Sequence, residues 1–464
     1  MDEVINESNS KRLNSGITDG VIWKQMLIFF FPMLFGSILQ LLYNATDAAI
    51  VGQFLGKSAL SAVGGTTGTI INLIVGFFIS MSSGVTVTIA QFYGAQKYDE
   101  VSKSVHTAIA FAITAGAFVT LVGVIFAPMA LTWMGVPDDV YPMAMSYIRI
   151  IFYGTIPNLI YNVGAGILRA VGDSRRPVYF LLTSVITNIV LDLFFIVNLK
   201  LGVGGAALAT IIAQTLSAVL VILSLSRQTG CLQLNIKQVR FHKVFLKRIL
   251  MIGTPAAFQA MAYSSSNIII QSFINGFGTN TVAAWTSYAK IDGLFWAVNN
   301  TLGVTLTTFV GQNYGAGKFD RVKKSVATSL GMICISAVML STLLYNFGSY
   351  VLKLFNSDPA VIEIGVEIIH FLVPFYLTYV CVEISSSTFR GLGNTITPLI
   401  ISVLGIPGIR MLWLFFGPQL FPGFKNVIFS YPLTWSTTSL MSIAYFVWFW
   451  FRMKKKPPTF EGVT

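Results

Sequence analysis

The sequence predicts an all-α polytopic membrane protein with twelve transmembrane helices arranged as two pseudo-symmetric six-helix bundles. Three observations carry that expectation. The 464 residues are 54% hydrophobic and only 10% charged, with a mean hydropathy of +0.72, where soluble domains carry about 25% charged residues. Apolar runs of about twenty residues, each enough to cross a bilayer core as a helix, recur along the chain. The polar stretch QFYGAQKYDEVSKSV at 91–105 returns at 312–326 as QNYGAGKFDRVKKSV, with ten of fifteen positions identical.

Taken in order, residues 1–19 read as a polar cytoplasmic tail. MDEVINESNSKRLNSG lacks the basic start, apolar middle and small-residue cleavage site of a signal peptide. Residues 20–226 read as a first six-helix bundle, with apolar runs at 70–90, 107–127, 178–199 and 203–225. A polar linker follows at 227–243, then a second bundle over 244–452 and a short basic tail over 453–464. At roughly 38 residues per crossing plus loop, the length accommodates about twelve spans.

The two bundles are related by an offset of 221 residues. RAVGDSRRP at 169–177 matches RGLGNTITP at 390–398 in its Arg, Gly and Pro positions, and Pro32 corresponds to Pro255 after a two-residue adjustment. An even number of spans per half keeps both halves in one orientation, a parallel repeat whose usual use is alternating access to a cavity between the halves.

The net charge of +12 orients the chain and calls for no nucleic-acid partner. Of thirty Lys and Arg residues, 23 fall in the tails and in loops of one side. They include the six from Arg227 to Arg248, the four from Lys318 to Lys324, and Lys454–Lys456. Lys57, Lys200, Lys353 and Lys425 lie on the other side, and Arg149, Lys290 and Arg410 within spans. Positive-inside bias of this size predicts both termini cytoplasmic. Cys231, Cys334 and Cys381, and His106, His242 and His370, show no disulfide or metal spacing, so neither a disulfide framework nor a metal or other cofactor is expected. GQFLGKS at 52–58 is one residue short of a phosphate-binding loop, and GAGK at 315–318 continues with Phe rather than Ser or Thr. No nucleophile–base pair suggests an enzyme.

Ionisable residues inside a span are functional candidates. Asp47 lies in the first span. Asn188 and Asp192, four apart in the fifth, share a helix face. Thr210 in the sixth adds a hydroxyl at comparable depth, so these four could meet within the first bundle. Two carboxylates in a low-dielectric pocket cannot both ionise cheaply, so the set is suited to a proton, or to Na⁺ held by carboxylate, amide and hydroxyl oxygens; a purely structural clamp is the plainer reading. The second half lacks the Asn/Asp pair, since 188 maps to Ile409 and 192 to Leu412–Trp413. It carries Lys290 and Asp292 in span eight, Glu383 in span ten and Arg410 in span eleven. Glu383 and Arg410 could form an interhelical salt bridge, or Asp292 and Glu383 could attract a cation. Trp285, Tyr288, Phe295 and Trp296, with Tyr43 of span one, supply aromatic faces suited to a lipophilic organic cation.

These residues together resemble the multidrug and toxic compound extrusion (MATE) family. The resemblance is carried by Asp47–Gly56 (DAAIVGQFLG), Gln91–Ala95, Arg169–Pro177, Asn188–Ile196 (NIVLDLFFI), Gly311–Ala316 (GQNYGA) and Arg390–Pro398. It covers residues 20–452 and implies twelve helices and export of organic cations and other toxic compounds in exchange for H⁺ or Na⁺. The damage-inducible branch is the nearer one: its first-bundle cation site matches Asp47, Asn188, Asp192 and Thr210. Another branch places a Glu in helix seven eight residues after its proline, where this chain has Tyr263. Pro32 is an expected kink point. The expectation is thus a monomeric, multi-pass antiporter of the cytoplasmic membrane, handling amphipathic and mostly cationic small molecules. Its rivals are a lipid-linked precursor flippase of related fold and a non-transporting receptor or scaffold.

Overall fold

A computed structural model describes residues 17–420 and 422–455. Most of both expected tails therefore lies outside the described residues. Twelve long helical segments follow one another: α1 (Ile22–Leu55), α2 (Lys57–Gly94), α3 (Tyr98–Trp133), α4 (Tyr141–Tyr153 and Thr155–Ala170), α5 (Arg175–Asn198), α6 (Gly202–Ser226), α7 (Lys243–Asn275), α8 (Thr279–Gly315), α9 (Phe319–Leu352), α10 (Pro359–Gly391), α11 (Ile396–Leu420) and α12 (Phe424–Lys455). Helices are the element a bilayer permits, since each satisfies its own backbone. The two pieces of α4 meet at 48° around Gly154.

Eight of these segments are long and apolar enough to cross a membrane, nine when bent α4 is counted. The remaining three, α7, α8 and α12, are as long, at 33, 37 and 32 residues. In two of them, α8 and α12, the lower apolarity has a structural source. In α8, Thr301, Thr305, Thr308 and Asn313 are buried and donate to carbonyls four residues back. Thr434 and Thr438 do the same in α12. Side-chain polarity that closes on its own helix lowers hydropathy without leaving groups for lipid to solvate.

The repeated stretches close matching corners. Lys97 N–H reaches back to the Phe92 carbonyl (3.0 Å) and Gln96 N–H to Tyr93 (3.1 Å); Lys318 reaches Asn313 (2.8 Å) and Gly317 reaches Tyr314 (3.0 Å). Such a helix end requires a left-handed residue, and Gln96 (φ 58°) and Gly317 (φ 69°) supply it 221 positions apart. Gly172 (φ 98°) and Gly393 (φ 86°) repeat the device in the second matched pair.

The chain divides into two compact units, residues 28–257 and residues 17–27 with 258–455. Both boundaries fall inside helices, α1 and α7. In the first unit, the start of α7 lies against α2 with almost no side-chain layer between them. A Cβ on Gly84 would come 2.2 Å from the Ile249 carbonyl, and one on Gly253 2.2 Å from that of Met81. Small residues of this kind let membrane helices approach backbone to backbone. Arg248 adds a hydrogen bond to Gln91 (2.5 Å) and lies over the Phe92 ring. In the second unit, Arg321 holds the segment before α1 through the carbonyls of Ile17 (3.1 Å), Asp19 (3.0 Å) and Gly20 (2.9 Å). Lys318 pairs with the Asp19 carboxylate at 2.7 Å.

Candidate functional site

In the unit formed by residues 28–257, α1, α4, α5 and α6 bring a polar cluster into an apolar surround. Asn188 and Asp192 on α5 are fully buried and Thr210 on α6 nearly so. Tyr43, one turn before Asp47 on α1, donates its hydroxyl to Thr210 Oγ1 at 3.4 Å. The carboxyl groups of Asp47 and Asp192 lie close enough to share a hydrogen bond, which forms only when one carries the proton. Asp47 Oδ1, both Asp192 oxygens and both polar atoms of the Asn188 amide are buried with no hydrogen-bond partner. Buried polar atoms are almost always paired, and a carboxylate stripped of water without a donor is costly. Four of these five atoms, the three carboxyl oxygens and the Asn188 amide oxygen, can act as ligands or proton acceptors, and the fifth, Asn188 Nδ2, is a donor.

Tyr147 on α4 belongs to the same cluster, within electrostatic range of Asp47, Tyr43 and Asp192. It sits in the apolar wall of Ile50, Val51, Ile196, Val203 and Ala206. Sequence reasoning missed it because a tyrosine in SYIRIIFYG reads as one aromatic among many. Nothing in its spacing marks the hydroxyl that accompanies the ring into the pocket. Directly after Asp192, the last turn of α5 (Phe194–Asn198) widens into a π-helical turn, a feature frequent at functional sites. Pro32 lies inside the continuous helix α1.

The other unit places its acids differently. Asp292 on α8 is enclosed by donors: Tyr376 Oη at 2.6 Å and Tyr288 Oη at 3.3 Å on Oδ1, and Trp296 Nε1 at 2.7 Å on Oδ2. The Phe295 and Tyr376 rings stack at 3.9 Å, and Trp285 packs against Tyr288 and Tyr431. The expected aromatic surround of Asp292 is present, but it meets the carboxylate through hydroxyl and indole N–H edges rather than ring faces. Lys290 points elsewhere, its ammonium 5.5 Å from the Phe355 ring. Glu383 on α10 accepts from Ser387 Oγ at 2.8 Å, and its Oε1 lies where a Cβ on Gly303 would be 2.0 Å away.

The Glu383–Arg410 salt bridge, one of the two readings of these residues, is not formed. Arg410, 2% exposed, donates Nη1 to Ser266 Oγ (3.1 Å) and Asn267 Oδ1 (3.2 Å) on α7 and lies 4.4 Å from the Tyr431 ring centre. The π-helical turn Leu404–Gly408 immediately precedes it on α11. Glu383 has its own partner on α10, so neither residue satisfies the other. Among the described residues, no group of three or more His, Cys, Asp or Glu side chains could hold a metal ion.

Twelve long helices in a twofold-repeated chain, with two carboxyl groups brought together in one half and the buried Arg410 in the other, define a membrane transporter built from duplicated bundles. The MatE family model matches residues 32–194 and 255–415, one match per half. The chain belongs to the MatE family. It is 28% identical over 447 residues to "Probable multidrug resistance protein YoeA" of Bacillus subtilis (strain 168), covering 94% of this chain and 96% of the relative. It is 23% identical to "Multidrug export protein MepA" of Staphylococcus aureus (strain NCTC 8325 / PS 47), covering 85% and 88%. A crystal structure of MATE in the bent conformation superposes with a TM-score of 0.88 at 22% identity over 95% of this chain and 98% of that one. A Pyrococcus furiosus transporter described as having a binding pocket of reverse polarity superposes at 0.87, with 22% identity and coverage of 96% and 99%. These structures share the twelve-helix, two-bundle fold. The protein is a multi-pass membrane transporter of the multidrug efflux class, and not an enzyme.

Proposed function

We propose that the protein is a secondary antiporter of the cytoplasmic membrane, with both termini cytoplasmic. It exports amphipathic, mostly cationic compounds in exchange for H⁺ or Na⁺. The observation that carries this reading is the Asp47–Asp192 pair, whose buried oxygens have no donor while Asn188, Thr210, Tyr43 and Tyr147 surround them. A proton on either carboxyl creates the shared hydrogen bond. Na⁺ would instead be held by the carboxylates, the Asn188 amide oxygen and the Thr210 hydroxyl. Either ion neutralises a charge that the apolar wall disfavours, so occupancy changes the energy of the conformation holding the site closed. An ion drives transport only through such differential binding to two conformations. Pro32 stands fifteen residues before Asp47 on α1, and a bend there would couple occupancy to the helix's shape. The names of YoeA and MepA support export of drugs as the task.

The test is efflux of cationic dyes from reconstituted vesicles, with a pH gradient and a Na⁺ gradient imposed separately. Asp47→Asn should abolish gradient-driven efflux. Full retention of efflux in that variant would sink the coupling assignment.

A further inference from the structure

Span eleven carries a buried base, Arg410, close to the counterpart of the acid-bearing turn of span five. With the 221-residue offset, position 188 corresponds to Ile409, so Arg410 stands beside the counterpart of the Asn188–Asp192 turn. Its surroundings are unusual for a buried guanidinium. Among the described residues no carboxylate lies within 4.0 Å of its nitrogens. Its partners are neutral: Ser266, Asn267 and the Tyr431 ring. Its Nε is buried with no partner at all. Removing an ionised group from water without a counter-charge is expensive, and buried charges inside a bilayer mark functional positions.

The helix beside it shows how a ligand could reach this charge. Ser264, Ser265 and Asn267 are exposed on α7, next to buried Ser266. They lie eight to eleven residues before the end of α7, about 12–16 Å along the axis and near the middle of a bilayer core of about 30 Å. Two serines and an asparagine at that depth, beside exposed Ile268 and Ile269, are poorly solvated by hydrocarbon and suit contact with water or a polar ligand. Arg410 is joined to this turn by two hydrogen bonds from Nη1, one to exposed Asn267 and one to buried Ser266.

We propose that Arg410, with Ser266, Asn267 and Tyr431, forms an anion-recognising subsite that takes the carboxylate of an amphipathic aromatic substrate. The planar guanidinium offers parallel N–H groups matched to two carboxylate oxygens. The Asn267 amide can donate to the same group from the exposed side. The Tyr431 ring extends an aromatic surface next to the charge, continued by Trp285 at 5.6 Å. This deepens the transport reading and rests on it: a zwitterionic substrate would present its acidic end to this bundle.

The experiment compares a fluorescent zwitterionic rhodamine bearing a free carboxylate with its methyl ester. Equilibrium binding to purified full-length protein in nanodiscs is followed by dye anisotropy. The quantity read is the ratio of acid to ester affinity. Arg410→Gln should lower that ratio about tenfold, the loss expected for one charge-assisted hydrogen-bond pair, and Arg410→Lys should restore part of it. Asn267→Asp places a carboxylate at the guanidinium and should also lower the ratio, in a variant that gains an ion pair and so guards against misfolding. An unaltered ratio in Arg410→Gln and Asn267→Asp, or an equal loss for both dyes, would overturn the subsite and leave Arg410 a helix-packing residue. Because binding is read without a gradient, failure of antiport in vesicles is a separate result that leaves the ratio standing.

Discussion

Asp47 and Asp192 face one another from α1 and α5, and neither Asp192 oxygen has a hydrogen-bond donor. The first prediction follows from what a proton or cation does there. Asp192→Asn keeps the shape, removes one charge and adds an N–H₂ that can donate to Asp47. We expect a fold at least as thermally stable as the parent, because no buried charge is stranded, together with a loss of gradient-driven efflux of more than about tenfold. Adding Asp47→Asn to this variant should cost little more, since two residues acting as one unit are not additive. Vesicle efflux and thermal unfolding of the same preparations provide the check; a clearly less stable Asp192→Asn protein would contradict the account.

Two imidazoles, one on each side, fasten the polar linker to α3. His106 Nδ1–H donates to the Ser102 carbonyl (2.7 Å) while Nε2 accepts from Asn235 N–H (3.1 Å). His242 Nε2 accepts from Arg240 Nε–H (3.3 Å), leaving Nδ1–H for the Thr107 hydroxyl (3.2 Å), which itself donates to the Lys103 carbonyl. Partial burial, then Arg240, Lys103 and His106, push the His242 imidazole below its ordinary value of 6.5. A base with a depressed folded pKa contributes stability that is present above its unfolded pKa and is lost as pH falls through the folded one. Hydrogen exchange at the His242 amide, which donates to Thr107 Oγ1 at 3.3 Å, should therefore accelerate as pH drops below about 6.5, beyond the intrinsic pH dependence of exchange. His242→Phe should show no such pH step at the same amide, and a pH-independent protection factor in the parent would exclude the latch.

Much of this architecture was legible from elementary constraints. Twelve segments follow from length, apolar runs and the even parity that a parallel repeat imposes, and the corner at 91–97 announces its counterpart at 312–318. Asn188 and Asp192 could be placed on one face by spacing alone. Helix partners could not be read so directly. Glu383 and Arg410 carry opposite charges on neighbouring spans, yet Glu383 turns to Ser387 on its own helix and Arg410 to α7 and Tyr431. Charge says which residues need a partner; helix rotation decides which is within reach, and the sequence of one helix does not encode its neighbour's rotation. Tyr147 was hidden for the same reason, as was the enclosure of Asp292 by Tyr376 from α10. The polarity of α8 and α12 shows the converse, since hydroxyls that close on their own backbone make spans look less apolar than they are.

Gly303 on α8 accommodates Glu383. A methyl group there would lie 2.0 Å from Glu383 Oε1 and 2.9 Å from Ser387 Oγ, so Gly303→Ala should displace the carboxylate and break its 2.8 Å hydrogen bond. Overpacking of this kind costs about 1–3 kcal/mol. In the Glu383→Ala background the clash with the carboxylate is gone, so the same substitution should cost markedly less. A double-mutant cycle on thermal unfolding measures the difference. Additive costs would show that Gly303 serves something other than room for Glu383.

The duplicated corners allow a prediction in which the two halves serve as each other's control. Gln96 (φ 58°) and Gly317 (φ 69°) occupy the same left-handed position, yet one has a side chain and the other none. Both are exposed, and a Cβ at Gly317 would meet nothing within 4 Å, so packing does not enter. Only backbone strain and unfolded-chain entropy remain. An L-residue in this conformation costs roughly 1–2 kcal/mol, while glycine's extra freedom in the unfolded chain costs about 0.5–1 kcal/mol. Gln96→Gly should then be neutral or stabilise by up to about 1 kcal/mol, and Gly317→Ala should destabilise by a similar amount. Unfolding midpoints of the two single variants decide the matter. If Gln96→Gly lost stability, its side chain would have a role at the 91–105 corner that the 312–326 corner manages without.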